Sequence, residues 1–211
     1  MYHSSRARPV TNNSLKEILF ASTMFPRYLS RFWLGIISCY NFNRYIDLQF
    51  QFTNKLNEDN KKQLVIRPFM EDYGWDYKER WANKYPDIKI NSSGSFADTL
   101  NKCKIFVCDN IQTVWLESLF VNKPTVMYLD FSKYFFTDEV THYLNQLKSV
   151  SILHDSPEMA AQTVNNVSPD VETWWNNSTL QRFRKEFCDN YVRKSTSVKK
   201  DWFNEMNSFY N

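Results

Sequence analysis

Short apolar runs recur along this chain with amphipathic stretches between them. The runs are Glu17–Ala21 (EILFA), Gln63–Arg67 (QLVIR), Asp87–Asn91 (DIKIN), Lys104–Asp109, Thr125–Asp130 and Ser151–His154 (SILH), and Lys104–Asp109 and Thr125–Asp130 are the clearest. Each has the length and composition of a strand. Helical spacing fills the gaps at Asn43–Leu56, Asp76–Lys84, Phe96–Lys102 with Ser95 as N-cap, Thr137–Leu147, and Pro157–Val167 with its proline near the favoured first position. Such alternation predicts an α/β fold, a Rossmann-like open parallel sheet of about six strands with helices on both faces. After Ser168 only helical patterns remain, at Val171–Trp175, Leu180–Arg193 and Lys199–Phe209. The expected organisation is a disordered segment over 1–14, a Rossmann-like domain over 15–168, and a C-terminal tail over 169–211 whose helices pack on it.

The most informative stretch is Cys103–Asp130, CKIFVCDNIQTVWLESLFVNKPTVMYLD. It reads as strand, polar turn, helix, short loop and strand. The first strand ends in Asp109-Asn110, and a helix opens at Gln112–Thr113. A helix N-terminus at the carboxyl end of a strand is where open α/β sheets bind ligands, and its free N–H groups suit an anion. Glu117 lies one helical turn after Thr113 on the same face. Phosphate at the helix end and ribose hydroxyls on the carboxylate would suit a nucleotide.

The other strand ends face the same crevice in this topology. They contribute Ser22, Thr23 and Arg27, then Arg67 with Glu71-Asp72-Tyr73-Gly74-Trp75, then Asn91-Ser92-Ser93-Gly94-Ser95, and finally Asp130, His154 and Asp155. The set is rich in donors, and its arginines suit phosphate or carboxylate. Each residue also has a plainer reading. Thr113 alone is best read as a helix cap, while Asp109, Asn110, Thr113 and Glu117 together favour a site. Glu117 sits among Trp115, Leu116, Leu119 and Phe120, where a carboxylate needs a partner. Arg67 at a strand end favours function, whereas Arg27 and Arg80 favour structure. A lone histidine such as His154 is more often structural than an acid/base group or a base contact. Trp174-Trp175 reads as a packing anchor.

Composition narrows the classes. The 211 residues are 43% hydrophobic and 23% charged, ordinary for a globular chain, and a net charge of +3 is too small to argue for nucleic acid. Only Gly35, Gly74 and Gly94 are present, so neither a GxGxxG loop nor a P-loop can be written. The scattered His3, His142 and His154 argue against a metal centre, and there is no DxD pair and no GxSxG elbow. Cys39, Cys103, Cys108 and Cys188 lack CxxC spacing and read as buried free thiols of a reducing compartment. Residues 1–14 have no apolar signal core, and the Phe32–Tyr40 run is too short to span a bilayer. The sequons at Asn91 and Asn177 therefore carry little weight.

Several segments together resemble the C-terminal, nucleotide-binding half of a GT-B type glycosyltransferase. The closer resemblance is to a family of bacterial surface-polysaccharide transferases, similar in pattern to capsule and teichoic-acid polymer enzymes. The residues that carry it are Ile18–Tyr28, IRPFMEDYGWDYKERW (Ile66–Trp81), Asp109–Asp130, SILHDSPEMAA (Ser151–Ala161) and WWNNSTLQRFRKEF (Trp174–Phe187). The resemblance implies a nucleotide-sugar or polyol-phosphate donor in surface-polysaccharide biosynthesis. The donor phosphate would meet Asn110, Gln112 and Thr113, its ribose Glu117, and Arg67 would steady the leaving phosphate. Asp109, Arg27, Ser93 and His154 complete the expected donor-binding set. The resemblance further implies no cofactor and metal-independent transfer, a glycan or lipid-linked acceptor, and an N-terminal acceptor domain missing from this chain, which would leave it inactive alone. The setting would be the cytoplasm, at the inner face of the membrane.

Three other readings stay open. One is a non-catalytic nucleotide-binding or assembly module of the same fold. Another is a sugar-nucleotide epimerase, for which His154 is the acid/base candidate. The third is peripheral membrane association through the Arg27–Arg44 segment, where arginines alternate with aromatic residues.

Overall fold

The structure, a computed structural model, describes residues 15–24, 26–28, 41–192 and 197–209. The expected disorder of 1–14, the Phe32–Tyr40 run and most of the Arg27–Arg44 segment lie outside the described residues.

The strands are β1 (Glu17–Ala21), β2 (Leu64–Arg67), β3 (Lys89–Ile90), β4 (Cys103–Cys108), β5 (Thr125–Tyr128) and β6 (Leu153–His154). They form one sheet in the order β3-β2-β1-β4-β5-β6, and every pairing is parallel. β1 lies at the centre, with Ile18 paired to Leu64 on one side and Ile105 on the other, and Phe20 likewise between Ile66 and Val107. The fold class is therefore the one the alternating pattern predicts.

The helices are α1 (Phe42–Lys55), α2 (Glu58–Gln63), α3 (Tyr77–Lys84), α4 (Phe96–Lys102), α5 (Thr113–Phe120), α6 (Asp138–Ser149), α7 (Pro157–Val167), α8 (Val171–Trp175), α9 (Ser178–Tyr191) and α10 (Val198–Ser208). Alternate strand residues point to opposite faces, so the sheet divides the core in two. On one face Ile18, Phe20, Ile66, Val107 and Tyr128 meet Phe42, Ile46 and Phe52 of α1, Tyr77 and Trp81 of α3, and Ala160, Ala161 and Val164 of α7. The small α7 residues let that helix approach closely. On the other face Leu19, Val65, Phe106, Met127 and Leu153 meet Leu100, Trp115, Leu119, Leu144, Leu147, Leu180 and Phe187. Phe52 is fully buried, and burying such a ring is worth about 1.5–3 kcal/mol.

Sequence signals explain the helix ends. Ser95, Thr137, Ser156, Asp170 and Asn177 each accept a hydrogen bond from a first-turn N–H of the following helix, and Pro157 opens α7. Asn177, half of a sequon, is thus the cap of α9. Trp175 is fully buried, and its Nε1–H donates to the carbonyl of Asn122 at 3.0 Å and to its Oδ1 at 2.9 Å. Trp174-Trp175 therefore anchors the tail. Cys103, Cys108 and Cys188 are buried and unpaired, and burial pushes the Cys103 thiol up to about 12.

Two features go beyond the sequence pattern. The polar segment Asn54–Lys62 carries no apolar stripe, yet Glu58–Gln63 is a helix capped by Asn57 and held by Asn60, the one buried residue in it. Asn60 Nδ2 donates to Asn165 Oδ1, and its own Oδ1 accepts from Ser168 Oγ, so polar contacts do the docking that an apolar stripe would otherwise signal. The tail also differs. α8 and α9 contribute Trp175, Leu180 and Phe187 to the core, but every residue of α10 is exposed. Packing of the tail thus stops at α9. No helix among the described residues is long and apolar enough to cross a membrane.

Candidate functional site at the carboxyl edge of the sheet

From β1 the chain continues to β2 on one side, and from β4 to β5 on the other. The loops after β1 and β4 therefore diverge and leave a crevice, the usual ligand position in such sheets. Its floor is a buried polar chain. Tyr45 Oη accepts from the Thr23 N–H at 2.9 Å and donates to Asp109 Oδ1 at 3.1 Å, which ties the end of β1 to the end of β4. Gln49 Nε2 donates to Asp109 Oδ2 at 2.7 Å, and Gln49 Oε1 accepts from Tyr77 Oη at 2.7 Å. Burial raises the Asp109 carboxyl to about 7, against the opposing pull of the Gln49 and Tyr45 hydrogen bonds. Of this polar chain the sequence had pointed to Thr23 and Asp109. Its partners could have been found from Tyr45 and Gln49, polar groups four residues apart on the apolar face of α1, since a buried amide must be hydrogen-bonded.

A small hollow of about 40 Å³ opens beside this chain, lined by Arg44, Tyr45, Asp109, Tyr128, Asp130 and Tyr134 among others. The hydroxyl of Tyr128 is buried there without a hydrogen-bond partner among the described residues. At the mouth, Arg44 donates to Asp130 Oδ2 through Nε at 3.0 Å and Nη2 at 2.9 Å. Burial raises the Asp130 carboxyl, but hydrogen bonds from Ser132 and Arg44 outweigh it and leave the group below its usual range.

The turn beyond Asp109 leads to α5. Gln112 is its N-cap, with no side-chain hydrogen bond to the first turn and no acidic residue there. The first-turn N–H groups keep their donor capacity, and the end of the helix dipole is uncompensated. Thr113 is exposed, Gln112 half-buried, and Asn110 buried. Glu117, one turn along, is half-buried with no hydrogen bond or ion pair among the described residues, and desolvation holds its carboxyl above the usual glutamate range. Asp109, Asn110, Gln112, Thr113 and Glu117 thus follow one another through the end of β4, the turn and α5, and of the five Asp109 alone lines the hollow.

The remaining candidates lie around it. Arg67 ends β2 and holds the loop into α4. Its Nη1 donates to the Ser93 carbonyl at 3.1 Å and Thr99 Oγ1 at 2.9 Å, and its Nη2 to the Gly94 carbonyl at 2.8 Å. These acceptors are neutral, so they leave its charge uncompensated. Ser93 Oγ donates to Asn91 Oδ1 at 2.8 Å. Arg27 donates to the Gly74 carbonyl at 3.1 Å and lies over the Trp75 ring, which stacks on Phe42 at 4.0 Å. The DYGW segment is a clamp: the Asp72 carboxylate accepts from the N–H groups of Trp75, Asp76 and Tyr77, which accommodates the positive φ of Tyr73, Gly74 and Asp76. His154 stands apart, two strands from β4, with Nε2 3.2 Å from the Ser151 carbonyl. Burial lowers its pKa and keeps the ring neutral.

Six parallel strands with this order and a carboxyl-edge crevice at β1/β4 define a Rossmann-like α/β protein. The chain belongs to the LIC12162 family of transferases, whose family model matches residues 2–206. Two structures of the wall teichoic acid polymerase TagF are similar to it in outline. One, a variant soaked with CDPG, has 13% identity and a TM-score of 0.49, and the other has 12% identity and a TM-score of 0.46. Both alignments cover 92% of this chain but only 42% and 43% of TagF, so the chain spans less than half the length of those proteins. No curated protein matches the sequence.

Proposed function

We propose that this chain is the donor-binding domain of a glycosyltransferase or related polymer transferase that uses a nucleotide-activated sugar in surface-polysaccharide biosynthesis. The observation that carries the reading is the uncapped first turn of α5 beside the β1/β4 crevice, with the half-buried Glu117 carboxylate, which has no hydrogen bond or ion pair among the described residues, one turn deeper. The donor phosphate sits at the N–H groups near Asn110, Gln112 and Thr113. The ribose hydroxyls donate to Glu117.

Chemistry at this site is electrostatic. The acceptor hydroxyl forms its bond to the anomeric carbon as the bond from that carbon to the phosphate oxygen breaks. The departing nucleotide takes the electron pair, and the α5 N-terminus and the Arg67 charge stabilise it. The hydroxyl proton leaves to a base on an acceptor-binding domain. That domain also supplies the second wall of the cleft, because the hollow of about 40 Å³ is far below the roughly 300–1,000 Å³ of a closed ligand site. Asp109 and Tyr45 hold the β1 and β4 ends at fixed separation, while Arg27 and Ser93 keep the flanking loops in place.

Thermal-shift titration against UDP, CMP, CDP, GDP and dTDP tests this. One nucleotide is expected to stabilise the chain saturably, by about 2.7 kcal/mol at a hundredfold excess over Kd. Failure of all five to shift the transition would leave a fold without a donor site.

A further inference from the structure

The helix α10 bears an apolar face that no other described residue covers. Val198, Trp202, Met206 and Phe209 recur at helical spacing, with Phe203 beside them. Trp202 is 66% exposed, Phe203 66%, Met206 56% and Phe209 79%. At about 100° per residue these side chains occupy an arc of about 140°. Asn204, Asn207 and Ser208 lie on the opposite side. Scattered apolar residues on a surface need no explanation, but a continuous aromatic stripe does.

The charges select the occupant. Residues 193–200 carry Arg193, Lys194, Lys199 and Lys200 and no acid, so the approach to the stripe is cationic. Asp201 and Glu205 follow on the flank away from Lys200 and leave the segment net positive. Lys199 falls within the apolar arc, between Met206 and Phe203. A protein partner covering that arc would have to desolvate the ammonium, which costs several kcal/mol unless it is paired. On a bilayer the lysine stem lies along the acyl chains and its ammonium reaches the phosphate level. Trp and Phe prefer the same depth.

We propose that α10 is an interfacial anchor that lies in the surface of an anionic membrane, with Trp202, Phe203, Met206 and Phe209 immersed and Lys199 and Lys200 on lipid phosphates. The inference does not depend on the donor site.

Sedimentation of the full chain with vesicles tests it. The chain is expected to pellet with mixed phosphatidylcholine and phosphatidylglycerol vesicles, and much less with phosphatidylcholine alone. Trp202→Asp combined with Phe203→Asp should weaken binding by about tenfold or more, and Lys199→Glu with Lys200→Glu should remove its dependence on anionic lipid. All four side chains are exposed, so circular dichroism and the thermal transition should stay unchanged. No pelleting with the anionic vesicles, or equal pelleting of the variants, would overturn the proposal. A self-association in analytical ultracentrifugation that Trp202→Asp abolishes would overturn it too, because a second copy would then cover the stripe.

Discussion

The phenol of Tyr45 donates to the carboxylate of Asp109 at 3.1 Å, across the point where the sheet changes direction. One hydroxyl from α1 thereby joins two strand ends whose loops diverge, since it also accepts from the Thr23 N–H. Tyr45→Phe removes both bonds and leaves a buried N–H without an acceptor. Urea denaturation should show a loss of about 1–3 kcal/mol, and a change within 0.5 kcal/mol would mean that water replaces the hydroxyl.

Asp109 also predicts a pH dependence. Its carboxyl is raised by burial to about 7 in the folded chain, well above the range of an ordinary aspartate. The folded state therefore holds a proton that the unfolded state has released, and stability from this group falls as pH rises from about 4 through 7. Wild type should lose more stability than Asp109→Asn between pH 5 and pH 8. Parallel pH profiles for the two proteins would rule out this titration.

Glu117→Ala should abolish the shift given by the preferred nucleotide at concentrations near the wild-type Kd while leaving the unliganded transition in place. A hydrogen bond to a charged group is worth about 1.5–3 kcal/mol, so affinity should fall by roughly 10- to 100-fold. Normal affinity in that variant would move the ribose elsewhere.

Arg67 has two separable contributions. Its fork holds the Ser93 and Gly94 carbonyls, and these neutral acceptors leave its charge available. Arg67→Lys keeps the charge and loses the fork. If charge is what the donor phosphate meets, Arg67→Lys should retain most nucleotide affinity and Arg67→Ala should lose it. In both variants amide exchange in residues 91–95 should accelerate. Equal loss of affinity in the two would assign Arg67 to loop positioning alone.

Much of this architecture is legible because a parallel sheet is buried on both faces. β1 is found at Glu17–Ala21, and α4, α7 and α8 within their expected bounds, because apolar runs and caps both mark them. β3 and β6 contain only two paired residues each, fewer than their apolar runs suggest, since edge pairing ends where the neighbouring strand ends. α2 escapes detection because side-chain amides dock it. Strand order is set by contacts far apart in sequence, which periodicity does not report. In the site, the α5 turn could be read from residues adjacent in the chain. The link from Tyr77 through Gln49 to Asp109 spans three elements and emerges only when they pack.

The brevity of β3 and β6 has a further consequence. These two strands border the sheet, and each has only two residues in the ladder. A neighbouring molecule would find too few free N–H and C=O groups there to add a strand of its own. Among the described residues, a strongly apolar parallel sheet thus presents no long template for fibrous assembly.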